Sequence, residues 1–180
     1  MNNSQESENH SKNNAYQTIE QTMEKLSGGT RRLAAQLTTS ASFDSLWNVL
    51  TDYDRLNLYI PNLLSNKKIY QKNNNIHLKQ VGAQDFLGMK FSAEVTIDLF
   101  EDKEQGLLKF NLIKGDFRKF EGSWKIQNIK DTSKNSLIYE LTVQGCQWMP
   151  IGMIERRLRK DLSENLIAVD RQAKSSLDLV

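Results

Sequence analysis

The sequence predicts an α+β fold in which a curved antiparallel seven-stranded sheet wraps around a long C-terminal helix, and three observations lead there. Between positions 64 and 143 apolar side chains recur mostly with a period of two, the spacing of strands with one buried face. From Ile151 to Ala173 the period changes to three or four, the spacing of an amphipathic helix. Helical patterns stand beside the strand run rather than alternating with it, which sets a helix layer against an antiparallel sheet. At 180 residues the chain suits a single domain with a tail.

Residues 1–30 are rich in Asn, Gln, Ser, Glu and Lys and carry too little apolar surface to offset the entropy of ordering them. They read as a mobile polar N-terminal tail, followed by a domain at 31–176 and a short tail at 177–180. Within the first tail Ile19, Met23 and Leu26 stand at i, i+4 and i+7, the spacing of a short amphipathic helix that Gly28-Gly29 would end. The stretch 33–39 reads as the first strand. Ser42 is then a helix N-cap, with Asp44 in the first turn and Phe43, Leu46, Trp47 and Leu50 on one face. Asp52-Tyr53-Asp54 interrupts the helix, residues 55–59 make a further turn, and Pro61 stops the run.

Strands follow at 64–70 and 76–81, joined by the turn-forming Lys72-Asn73-Asn74-Asn75. The clearest strand is 91–99, where Phe91, Ala93, Val95, Ile97 and Leu99 alternate with polar residues. Leu108, Phe110 and Leu112 repeat the pattern, then Phe120, Gly122, Trp124 and Ile126, then Tyr139, Leu141 and Val143. Residues 82–88, containing Phe86 and Leu87, read as a loop at the mouth of any cavity and as a gate to it. After Pro150 the long helix presents Ile151, Ile154, Leu158, Leu162, Leu166, Val169 and Ala173 on one side.

These residues resemble a known group, the START-like superfamily, also called SRPBCC, in its polyketide cyclase/dehydrase or coenzyme Q-binding branch. The resemblance spans about 32–173. It is carried by Ser42 with Leu46-Trp47-Asn48-Val49-Leu50-Thr51-Asp52-Tyr53, by Tyr59-Ile60-Pro61, by Gly115-Asp116-Phe117 with Phe120-Glu121-Gly122-Ser123-Trp124, and by Trp148-Met149-Pro150. It implies a helix-grip fold with a hydrophobic tunnel between sheet and helix, and it admits a cyclase or dehydratase activity.

Composition narrows the functions. A formal net charge of +2 lacks the strong basic footprint of a dedicated nucleic-acid binder. A single cysteine, Cys146, makes no internal disulfide, and the absence of an apolar leader or span points to a cytoplasmic protein. His10 falls in the polar tail and His77 on a solvent face, so the expectation is no metal and no cofactor. No Gly-rich phosphate loop, HExxH or CxxC occurs.

The expected function is therefore binding or transport of a hydrophobic small molecule, such as a lipid, a polyprenyl quinone or a pigment-like compound, in an internal cavity. The expected lining is Tyr59, Gln80, Phe86, Phe91, Ala93, Val95, Phe110, Leu112, Trp124, Tyr139, Leu141, Val143, Trp148, Ile154, Leu158 and Leu162. The alternative is a polyketide-type cyclase or dehydratase with Tyr59 or Gln80 polarising a carbonyl, and with Tyr139 and Glu121 as further acid/base candidates. A third option is a regulatory module that binds RNA, as the wider family suggests, or a protein partner through the basic run Arg156, Arg157, Arg159 and Lys160, a run that also suits contact with anionic lipid headgroups.

Overall fold

The computed structural model describes residues 19–86, 89–146 and 151–175, with side chains described outside 84–91 and 151–154. Along the chain run β1 (Ile19–Lys25), β2 (Arg31–Thr39), α1 (Phe43–Thr51), α2 (Leu56–Tyr59), β3 (Leu63–Lys72), β4 (Asn75–Phe86), β5 (Met89–Asp102), β6 (Leu107–Gly115), β7 (Phe117–Asn128), β8 (Asn135–Gly145) and α3 (Ile151–Ser175). The strands make one antiparallel sheet in the order β1-β2-β8-β7-β6-β5-β4-β3.

The sheet has eight strands rather than the seven expected, because residues 19–25 pair with β2 from Ile19–Leu37 to Lys25–Arg31. Ile19, Gln21 and Met23 share the inner face of β1, and the Gln21 carboxamide donates to the Arg159 carbonyl of α3 at 2.8 Å and to the Ser163 hydroxyl. The helix expected there is replaced by a strand, and Leu26 is left exposed. Gly28 and Gly29, at φ 66° and 77°, turn the chain from β1 into β2 through a 3-10 turn.

Between β2 and β3 the helices form as expected. The Ser42 hydroxyl caps α1 by accepting from the Ser45 amide at 3.1 Å, and Leu46, Trp47, Val49 and Leu50 are buried. Pro61 follows directly on α2 and its C-cap, Ile60.

The expected loop at 82–88 is largely strand. Residues 82–86 continue β4 and pair with β5 as far as Phe86–Met89, while 87–88 lie outside the described residues. Over 82–86 the ladder with β5 engages the backbone that a free loop would leave unpaired.

Bulges curve the sheet. Register shifts occur at Leu63/Ser65 and Lys68/Tyr70 in β3, at Thr96/Ile97 between β5 and β6, and at Phe117/Lys119 between β7 and β8. β6 and β7 pair only from Leu107–Lys125 to Asn111–Glu121, so the sheet parts at the Gly115-Asp116-Phe117 corner. Glycine is required at 115 because a Cβ would lie 2.4 Å from the Glu94 carbonyl. Asp116 then ties the corner to β5, its carboxylate accepting from the Glu94 amide at 2.7 Å and its amide donating to the Glu94 carbonyl at 2.9 Å.

α3 is about 38 Å long at ~1.5 Å per residue. Its second half is packed solidly, with Leu166, Val169 and Ala173 fully buried. Asp170, also buried, accepts from the Thr39 hydroxyl at the end of β2 and pairs with Lys174 at 2.9 Å. Among the described residues no helix is long and apolar enough to cross a membrane.

Candidate functional site

The first half of α3 crosses a hollow instead of a packed core. A cavity of about 500 Å³ lies between the helix, the concave face of the sheet and the α1–α2 region. Its size falls in the usual range of small-molecule sites, roughly 300–1,000 Å³. β4 and β5 contribute Leu78, Gln80, Gly82, Ala93, Val95, Ile97 and Leu99, and the facing pair Gly82–Ala93 supplies too little side-chain volume to fill the space. β6, β7 and β8 add Leu108, Phe110, Phe117, Phe120, Trp124, Tyr139 and Leu141. Leu158 and Leu162 line it from α3, beside Arg157, Asp161 and Asn165.

Of the expected lining residues, Gln80, Ala93, Val95, Phe110, Trp124, Tyr139, Leu141, Leu158 and Leu162 come together around this space. Trp124 and Tyr139, opposite one another on β7 and β8, stack with ring centroids 4.0 Å apart and planes within 5°. Tyr59 does not reach the cavity: its hydroxyl donates to the Val49 carbonyl at 2.5 Å, bracing α2 against α1. Val143 is fully buried in solid core, and Leu112 is half-buried next to the bulge that displaces β6. Phe86, Phe91 and Ile154 stand on described backbone, but their side chains lie outside the described residues, as does all of Trp148. Glu121 pairs with Lys119 at 2.8 Å and does not line the cavity.

The polar groups are ordered by a chain of hydrogen bonds. Gln80 Nε2 donates to Asn66 Oδ1 at 3.0 Å, Asn66 Nδ2 donates to the Tyr53 carbonyl, and Tyr53 Oη donates to Glu101 at 2.5 Å. Burial pushes the Tyr53 phenol far above its ordinary value, and the bond to Glu101 adds to the effect. Burial raises Tyr139 as well, reinforced by the charge of Asp161. Tyr59 is raised by burial and by the nearby Asp52, with Arg55 opposing.

The basic run on α3 divides. Arg157 faces the cavity and pairs with Asp161 one turn on, Nε to Oδ1 at 3.0 Å, and Asn62 Nδ2 donates to the same oxygen at 3.3 Å. Arg156, Arg159 and Lys160 are exposed, Lys160 lying 3.4 Å from Glu164. Glu155 accepts from Arg31 of β2 at 2.9 Å, and that hydrogen bond holds its carboxyl below the usual range.

Periodicity did not reveal Tyr53, Asn62, Phe117, Asp161 or Asn165 as cavity residues. Tyr53 and Asn62 lie in irregular segments, and Arg157 with Asp161 reads as an ordinary i, i+4 surface ion pair. The one available signal was the apolar stripe of α3: Asp161 and Asn165 flank Leu158 and Leu162 on the helix surface. Among the described residues no group of three His, Cys, Asp or Glu is placed to hold a metal ion. His77 lies 3.4 Å from Asp98 and stacks near Tyr70 at the far end of the β3–β4 hairpin.

A curved sheet gripping a helix over an apolar cavity defines a class of small-molecule-binding folds. The profile of the family described as polyketide cyclase / dehydrase and lipid transport matches residues 39–170, and the chain belongs to that family. No curated protein matches the sequence. Solved structures share the fold at low identity. A STAR-related lipid transfer protein from Xanthomonas axonopodis superposes with a TM-score of 0.73 at 11% identity, over 87% of this chain and 93% of its own. The Zhui aromatase/cyclase from a Streptomyces species gives 0.71 at 15%, over 82% and 96%. Human StAR-related lipid transfer protein 5 gives 0.70 at 6%, over 91% and 89%. Family and neighbours fit hydrophobic ligand binding or polyketide cyclase activity.

Proposed function

We propose that this protein binds and carries a hydrophobic small molecule, of lipid, quinone or pigment-like type, in the cavity beneath α3. The observation that carries this reading is the space of about 500 Å³ with walls mainly of Leu, Val, Ile and aromatic side chains. Burying apolar surface there stabilises a complex by about 25 cal/mol per Å² before the costs of association. The hydroxyl of Tyr53, which lines the cavity, is already engaged by Glu101, which suits walls built to hold rather than to transform. Exposed Arg156, Arg159 and Lys160 on the outer side of the same stretch of α3 fit loading from an anionic membrane surface.

Native mass spectrometry of protein purified from its own host tests this directly. A co-purifying lipophile is expected; protein that is empty there, and binds nothing in a screen of quinones, fatty acids and fatty alcohols, would exclude the reading.

One observation favours a second reading, a cyclase. Asp161 and Gln80 both face the cavity, where a carboxylate can accept a proton and a carboxamide can hold a carbonyl in place. Turnover of a polyketone that survives both Asp161→Asn and Gln80→Leu would remove it.

A further inference from the structure

We propose that the cavity selects an uncharged lipophile bearing a hydrogen-bond donor, a hydroxyl above all, and discriminates against fatty-acid carboxylates. This rests on the reading that the cavity binds a hydrophobic molecule, and it assigns that molecule's polar end.

Charge disfavours an ionised ligand. Among the described lining residues the only charged ones are Arg157 and Asp161, and they neutralise each other at 3.0 Å with side chains 28% and 15% exposed. Asn62 supplies Asp161 with a further donor. An incoming carboxylate would lose water, meet a guanidinium whose charge is already balanced, and lie near a second carboxylate. Desolvation and like-charge proximity both disfavour the ionised ligand.

Unmatched hydrogen-bonding groups favour a hydroxyl. Arg157, Asp161 and Asn165 recur at i, i+4 and i+8, a polar stripe along α3 beside the apolar Leu158 and Leu162. The Asn165 Oδ1 and Arg157 Nε atoms are both buried without a hydrogen-bond partner, the approach of Nε to Asp161 being an ion pair and not an aligned hydrogen bond. A buried acceptor without a donor and a buried donor without an acceptor are both costly, and a ligand hydroxyl, which donates as well as accepts, supplies what each lacks. On the facing strand the orientation of Gln80 follows by elimination. The Tyr53 carbonyl can only accept, so Asn66 must give it the NH₂ group; Asn66 therefore offers oxygen to Gln80, which must answer with its own NH₂. The Gln80 oxygen is thereby turned away from Asn66, a second acceptor on a cavity-lining residue.

Size sets the rest of the ligand. A space of about 500 Å³ lies within the usual range of small-molecule sites, enough for a medium-length chain or a few fused rings.

The test uses three matched twelve-carbon probes, dodecanol, laurate and dodecane, competing against the neutral fluorophore 1-aminoanthracene above the carboxylate pKa range. Dodecanol should bind about tenfold tighter than laurate and several-fold tighter than dodecane, the size of effect of one net hydrogen bond. Asn165→Leu should lower the affinity for dodecanol until it no longer exceeds that for dodecane. Asp161→Asn, which frees the Arg157 charge, should raise laurate affinity to at least that of dodecanol. Tight binding in which wild-type protein prefers laurate, or does not distinguish dodecanol from dodecane, overturns this inference alone. Failure of all three probes and of the fluorophore to bind overturns it together with the carrier reading.

Discussion

Tyr53 and Tyr139 are buried, Tyr59 is half-buried, and all three have their phenols held neutral chiefly by burial. The unfolded chain ionises tyrosine near pH 10. Because the folded pKa values lie higher, the unfolded state loses these protons first. They therefore add no pH dependence below that value, and stability falls as pH rises beyond it. An absorbance titration should show these three of the five tyrosines ionising only in a cooperative step that coincides with alkaline unfolding. Reversible tyrosinate formation by all five while near-UV circular dichroism remains native would contradict the assignment. Tyr59 also illustrates what pattern conceals. Its type and position suggested a cavity group, but the hydroxyl turns to the Val49 carbonyl, and no local rule specifies which acceptor a phenol will find.

At the scale of elements, the decisive contacts are those that hold α3 over the sheet. Asp170 is 2% exposed and joins Thr39 of β2 to Lys174 of α3. Asp170→Ala leaves the Thr39 hydroxyl without its acceptor, at an expected cost of about 1–3 kcal/mol. A urea melt with an unchanged midpoint would refute that role. β1 shows why one element was misassigned. Ile19 and Met23 are four apart, which lies close to one helical turn and is also an even number, so the pair shares a face in either structure. Pairing with β2 and the bonds from Gln21 to α3 select the strand. β2 to β8, α1 and α3 were legible because each repeats its period often enough to exclude the other. The β4–β5 ladder ran further than expected because Gly82 and Ala83 look like turn residues, and only pairing with Ala93 and Ser92 extends the strand through them.

For the whole molecule, the central fact is that α3 is packed along one half and spans a void along the other. Placing a larger side chain in the void should separate binding from folding. Ala93→Phe is expected to abolish binding of 1-aminoanthracene while the melting temperature stays within a few degrees of wild type, because a cavity of about 500 Å³ accepts the ring without overpacking. Retained binding in a protein with that ring in place would mean the ligand sits elsewhere.

The sequence by itself determined the fold class, the inward face of most strands, the capped α1 and the apolar stripe of α3, since each is written in the spacing of near neighbours. Tertiary structure alone decided the eighth strand, the withdrawal of Tyr59, and the partners that the polar residues of the cavity meet. Asn62 meets Asp161 from 99 positions away, and Gln80 is oriented through Asn66, 14 positions away, by the Tyr53 carbonyl. Such meetings depend on where bulges and corners carry whole elements, and a local period holds no record of that.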